Sequence, residues 1–359
     1  MRNQRSSWRG PGRLLVLAAT VLVLSAACGG AAARPGPSPT TRPPVPTPTP
    51  APAFQALVGG AEKGSAGPIS LYDSTVGART LQVRGTQFRF AGLGRISYLG
   101  EDGALYSQNL DGTARRTEVG GNVLEYGWGP DGTLAYVTST DPGAPYDRGQ
   151  LVIRPVAGPT ATTDLGPGIA SVGIPQRSIT FSPDGKLVML AQVTFGSNQL
   201  SVRKLDGTIL FAPQGVHGAW TPDGRLYFSS DSGIFVADPV AGTTRTVVSG
   251  VRWYNPAVSP DGRYVVFEQQ PAAGQPAALS PRPWLYLLDT RSGTIVSGFQ
   301  LAGISAHFVG PARFWYQVAV PQDSPDNRPV LAYDLTAWKA KTQAGLAGSV
   351  WDVHLGTAS

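Results

Sequence analysis

Trp128-Gly-Pro-Asp-Gly132, Phe181-Ser-Pro-Asp-Gly185, Trp220-Thr-Pro-Asp-Gly224 and Val258-Ser-Pro-Asp-Gly262 write the same turn four times into one chain. Pro presets φ for the first turn residue, Asp bonds its own backbone, and Gly takes the left-handed position that closes the turn. Short apolar runs flank each copy, and the run that follows is β-prone, as in Leu226-Tyr-Phe-Ser229 and Tyr264-Val-Val-Phe267. Leu99-Gly-Glu-Asp-Gly103 keeps the Asp-Gly of this signature, and Val309-Gly-Pro-Ala312 is a degenerate copy.

A second signature is a later hairpin in which an alternating strand runs into an Asp- or Asn-containing turn. It occurs at Tyr72 to Gly77, Asn109 to Gly112, Leu205 to Gly207, Asp238 to Gly242 and Asp289 to Gly293, and more weakly at Pro155 to Gly158 and Asp334 to Trp338. Seven such hairpins divide residues 54–359 into units of about 44 residues, each long enough for four short strands, which is the rhythm of a propeller blade. No helical period of useful length interrupts them. The expected fold is all-β: a single β-propeller of seven four-stranded blades, with six as the alternative. The first blade takes Phe54 to Val83 from one end of the domain and Val350 to Leu355 from the other, so the C-terminal strand closes the ring.

At the repeated Ser/Thr/Gly-Pro-Asp-Gly followed by an apolar strand, the chain resembles the TolB-like and WD40-like (PD40) propeller repeats of bacteria, over nearly all of residues 54–359. The resemblance implies the fold. It implies no single function, because the repeat serves binding proteins, peptidase-associated propellers and lipoproteins alike. The chain departs from TolB itself, leaving no room for TolB's separate N-terminal α/β domain, so a Pal-binding role is not carried over.

Residues 1–27 read as a targeting signal: Arg2, Arg5, Arg9 and Arg13 precede an apolar run from Leu14 to Leu24, too short to span a bilayer. Leu24-Ser-Ala-Ala-Cys28-Gly-Gly30 resembles the lipobox of bacterial lipoproteins, which implies that Cys28 is lipidated and the protein is anchored to the membrane outside the cytoplasm. Cys28 is the sole cysteine, so it has no disulfide partner within the chain. Residues 28–53 are a Pro/Thr-rich tether, expected to be disordered and extended, of which residues 31–53 would reach about 70 Å at roughly 3.1 Å per residue. The basic pI belongs to this region. Residues 1–53 hold six Arg and no acid, equal to the whole net charge of +6, so the domain from residue 54 is formally neutral and carries no electrostatic footprint for nucleic acid.

Catalytic signatures are missing: no Gly-x-Ser-x-Gly elbow, His-Glu-x-x-His, glycine-rich phosphate loop or EF-hand string occurs, and no cofactor or metal is expected. The residue three places before the apolar one that precedes each turn forms a column: Ile96, Glu125, Ser178, His217, Asn255, Ala306 and Asp352. Its polar members predict a ring at one mouth of the central channel, either a ligand site or a wet channel. His307 and His354 lie one or two places off this column. Trp253 and Tyr254, placed in the loop before an inner strand, are expected to be exposed contact residues, whereas Trp128 and Trp220 share a repeat position with Phe181 and Val258 and are expected in the core. Two insertions, Asp141 to Gly149 and Pro271 to Pro283, both separate a second strand from a third and should project on one face. The resulting expectation is a monomeric binding or scaffold propeller for a protein, peptide or glycan. A propeller-type enzyme (lactonase, glycosidase or lyase) and a purely structural envelope component are the alternatives.

Overall fold

The computed structural model describes residues 53–59, 69–92, 94–141, 148–167, 178–194, 197–250, 252–270, 283–318, 329–347 and 350–355. The signal segment, Cys28, the tether, and residues 142–147 and 271–282 of the two insertions lie outside them. Their strands form seven antiparallel sheets and no helix.

Blade 1 is built as expected from both ends of the domain: Val350–Leu355 is its inner strand, followed outward by Phe54–Gly59, Ile69–Asp73 and Gly77–Leu81. The inner strands of blades 2 to 7 are Thr86–Phe90, Val123–Trp128, Ile179–Phe181, His217–Trp220, Trp253–Val258 and Ile304–Gly310. Neighbouring inner strands pack on one another around the axis, and between blades 4 and 5 the inner strand His217–Trp220 packs on the second strand of blade 4, Leu187–Thr194. Among the described strands, blade 6 alone has a split outer edge, with Thr294–Ile295 and Leu301–Ala302 both pairing with Trp284–Asp289.

All four Pro-Asp-Gly turns join the first strand of a blade to the second. In each, the glycine N–H bonds the carbonyl three residues back, at 2.8–3.0 Å, and the glycine has φ between 70° and 89°. The residue before Pro adds a side-chain clasp, since Ser182 donates to Asp184 and Ser259 to Asp261, both at 2.6 Å. All seven hairpins of the second signature join a third strand to a fourth. Their Asp residues cap the turn; Asp73, for example, accepts the N–H and hydroxyl of Thr75 at 2.8 and 2.6 Å. The amide of Gln55 and the contacts from Thr75 hold the Asp73 carboxyl down at about 2.

The core lies between blades, where the two faces of each sheet meet their neighbours. Trp128 packs with blade 2 side chains and donates to Ser97 at 2.9 Å, and Trp220 packs with the Met189 and Leu200 cluster of blade 4; both are half-buried at the edge of these clusters instead of lying in the core.

Two positions in the sequence register differ. Leu99 to Gly103 joins the second and third strands of blade 2; the first turn of that blade is Ala91 to Gly94, which has neither Pro nor Asp. The column member in blade 2 is therefore Gln87 rather than Ile96. In blade 7, Phe308 pairs with Phe314 and Ile304 with Gln317, the spacing that Val258/Val265 and Tyr254/Glu268 show in blade 6. This makes Ser305, not Ala306, the equivalent of Asn255. The bulge is the physical signature: Gln87, Asn255 and Ser305 have φ of 53°, 48° and 54°.

Candidate functional site

With the register corrected, Gln87, Glu125, Ser178, His217, Asn255, Ser305 and Asp352 form the inner-strand column, one from each blade. Several of them bond the next blade. Asp352 accepts the Phe90 N–H at 2.9 Å, joining blade 1 to blade 2. Gln87 donates to the Leu124 carbonyl at 2.9 Å, and Glu125 accepts from the Arg89 guanidinium at 2.6 Å, both joining blade 2 to blade 3. Ser305 N–H donates to Glu268 at 2.6 Å, joining blade 7 to blade 6.

The Arg89–Glu125 pair is the most demanding contact, since each residue is 9% exposed. Burial pushes the Glu125 carboxyl up against the pull of the guanidinium, and the facing carboxylate keeps Arg89 charged. Arg89 also lies 5.6 Å from the centre of the Tyr126 ring, and the Tyr126 hydroxyl bonds the Gln87 carbonyl. Arg89 and Glu268 were missed in the sequence: the turn after Arg89 lacks Pro and Asp, and Glu268 is on a second strand.

His217 is half-buried, its Nδ1 3.5 Å from the Ser229 hydroxyl and its ring edge-on to Tyr254 at 6.0 Å. Burial pushes the imidazole down to about 4, so it is neutral at neutral pH. Ser178 is half-buried just before the blade 4 inner strand, its carbonyl accepting the Ala191 N–H at 2.7 Å. The buried Asn255 amide oxygen has no hydrogen-bond partner among the described residues. Trp253 is not the exposed contact expected: it is 7% exposed and packs edge-on against Phe267 and Tyr286, because it already belongs to the inner strand and points between blades 5 and 6. Tyr254, the next residue, is half-buried.

The opposite end of the channel, ringed by the Pro-Asp-Gly turns, holds a cavity of about 470 Å³. Phe181, Trp220, Val258, Phe308 and Leu355, from the ends of five inner strands, form part of its wall, and Pro183, Pro222 and Pro260 of the turns stand at its rim. Its space comes from small residues, Gly218, Ala219, Ala257 and Ala306, on blades 5 to 7. At the inner-strand position of Ala219 and Ala257, blades 7, 1 and 2 carry His307, His354 and Arg89. His307, 8% exposed, is the one titratable residue among those lining the cavity. None of Glu125, Glu268 and Asp352 lines it.

Solved structures of similar fold include the periplasmic gluconolactonase PpgL of Pseudomonas aeruginosa, with a TM-score of 0.55, 16% identity, and coverage of 86% of this chain and 100% of that one. A protein from Lactobacillus plantarum matches with a TM-score of 0.52, 12% identity and the same coverages. The likeness is one of fold, a seven-bladed β-propeller. TolB from Acinetobacter baumannii is also similar, with a TM-score of 0.45 and 16% identity over 83% of this chain and 81% of that one. The seven four-stranded blades are the fold that the resemblance of the turns to TolB-like repeats implied. No family model matches the chain, and no curated protein matches it.

Proposed function

We propose that the protein is an extracytoplasmic lipoprotein, anchored through Cys28, whose propeller is a binding or scaffold module for a protein, peptide or glycan, and that the partner is received at the cavity. The cavity carries this reading. It is within the usual size range of ligand pockets, its described wall is mostly apolar, and the carboxylates nearest the axis hold blades together instead of facing it. An enzyme of the lactonase, glycosidase or lyase kind needs acid–base groups within reach of a substrate, so turnover is the discriminating measurement. The expected result is retention of a partner by residues 54–359 and no hydrolysis of sugar lactones; lactone turnover abolished by His307→Ala would replace binding with catalysis. For the anchor, Cys28→Ser is expected to move the protein from the membrane to the soluble fraction, and unchanged retention would remove lipidation from the reading.

A further inference from the structure

Every large apolar side chain that is exposed among the described residues lies at one edge of the disc. Val76, Val156 and Val240 sit in the third-to-fourth-strand turns of blades 1, 3 and 5, and Trp338 in that of blade 7; Ile209 and Ile295 lie at the start of the fourth strands of blades 4 and 6. They are 36% to 83% exposed. Strands alternate in direction, so these turns and the Pro-Asp-Gly turns share one end of the disc. The apolar rim and the cavity therefore belong to the same face.

That face also gathers cations. Lys204, Arg245, Arg291 and Lys339 are exposed there, on the same hairpins of blades 4 to 7. The Asp residues of those hairpins are engaged in their own turns, as Asp206 with Thr208 N–H at 2.9 Å and Asp289 with Arg291 N–H at 3.0 Å. On the opposite face, in connections from second to third strands, the exposed charges include Glu101, Asp102, Asp141 and Asp231. The Pro-Asp-Gly face also carries the exposed Asp131, Asp184, Asp223 and Asp261 of its turns, but Arg115, Arg116, Lys186, Arg225 and Lys341 add to its cations, which outnumber its acids among the described residues. A domain that is formally neutral is thus polarised across its thickness.

A bilayer would be met best by an unbroken cationic surface. Here each cation shares its hairpin with a fixed Asp, with a cavity in the middle, a pattern that suits a polypeptide better than a lipid surface. Trp and Arg are also the side chains that most often anchor protein contacts. Resting on the binding reading above, we propose that the Pro-Asp-Gly face docks an acidic segment of a partner protein, which seats an apolar side chain in the cavity and sets its carboxylates against the cationic hairpins.

The test is selection of a phage-displayed random-peptide library on residues 50–359, which contain the whole closed ring. The selected peptides are re-measured on two cavity-filling variants, Ala219→Trp and Ala257→Leu, and on the charge reversal Arg245→Glu/Arg291→Glu/Lys339→Glu, with thermal melts confirming that each is folded. Peptides that carry Asp or Glu around a large apolar residue, and that weaken about tenfold or more on cavity filling and on charge reversal, are expected. Peptides without acidic bias that still need the cavity would overturn this proposal and leave the binding reading standing. No enrichment, or enrichment indifferent to cavity filling, would overturn both. Binding to phosphatidylglycerol vesicles that exceeds peptide binding and disappears on charge reversal would assign the face to lipid and overturn the proposal.

Discussion

Replacing Glu125 by Leu removes one half of a buried ion pair and leaves the Arg89 guanidinium 9% exposed between blades 2 and 3. Breaking such a pair from one side costs about 3–5 kcal/mol, because the remaining charge keeps its desolvation penalty without compensation. Asp352, which also attracts Arg89, remains in place, so the lower end, about 3 kcal/mol, is expected. At an unfolding entropy of about 2.1 cal/mol/K per residue and roughly 300 residues, this lowers Tm by about 5 °C. Circular dichroism melts and urea titrations of residues 54–359 measure it. The double replacement Arg89→Met/Glu125→Leu removes both charges and is expected to recover most of the loss. A loss below about 1 kcal/mol for Glu125→Leu, or a double variant worse than the single, would refute the reading of this pair as a tie between blades.

Asp352→Ala removes the acceptor of the Phe90 N–H and is expected to cost about 1–2 kcal/mol, with faster hydrogen exchange at Phe90 as its local sign. His217, neutral in the fold down to about pH 4, takes up a proton in the unfolded chain from about pH 6.5 downward. Stability is therefore full above that range and falls as pH drops from 6.5 to 4, by about 2 kcal/mol after allowing for the ring's partial exposure. His217→Gln should flatten this slope in pH-dependent melts, and an unchanged slope would assign it to other groups.

The blades were legible because their turns are local chemistry. Pro, Asp and Gly each impose a backbone preference at the residue where they stand, and an Asp cap needs only the next two residues. Ring closure was also legible, since the domain had one inner strand too few and an apolar run, Val350 to Leu355, to supply it. The register of blades 2 and 7 was not. Ala91 to Gly94 satisfies the same hairpin with glycines alone, at φ of 82° and 73° for Gly92 and Gly94, and in blade 7 the irregularity between Phe308 and Gly310 shifts the side-chain count by one without a sequence marker. Trp253 was misread for a related reason: whether an aromatic at a strand's first residue faces solvent or the next blade depends on where pairing begins, here Trp253 with Gln269. The cavity was hidden altogether, because it results from what is small on blades 5 to 7, and small residues carry no motif.

Phe54 pairs with Leu355 at the place where the neighbouring blades have a turn. Blade 1 is therefore a blade with its hairpin cut, and the chain is a circular permutation of a uniform ring whose seam runs past the cavity rim through Leu355. Folding must bring together residues as far apart as Trp351 and Gly59, 292 positions along the chain, before this blade has an inner strand. Such a topology folds slowly, since the entropy of a long loop is lost before its contacts form. Joining the two strands by Ser-Pro-Asp-Gly and opening the ring elsewhere would move that late step to another blade, leaving the cavity's walls as they are.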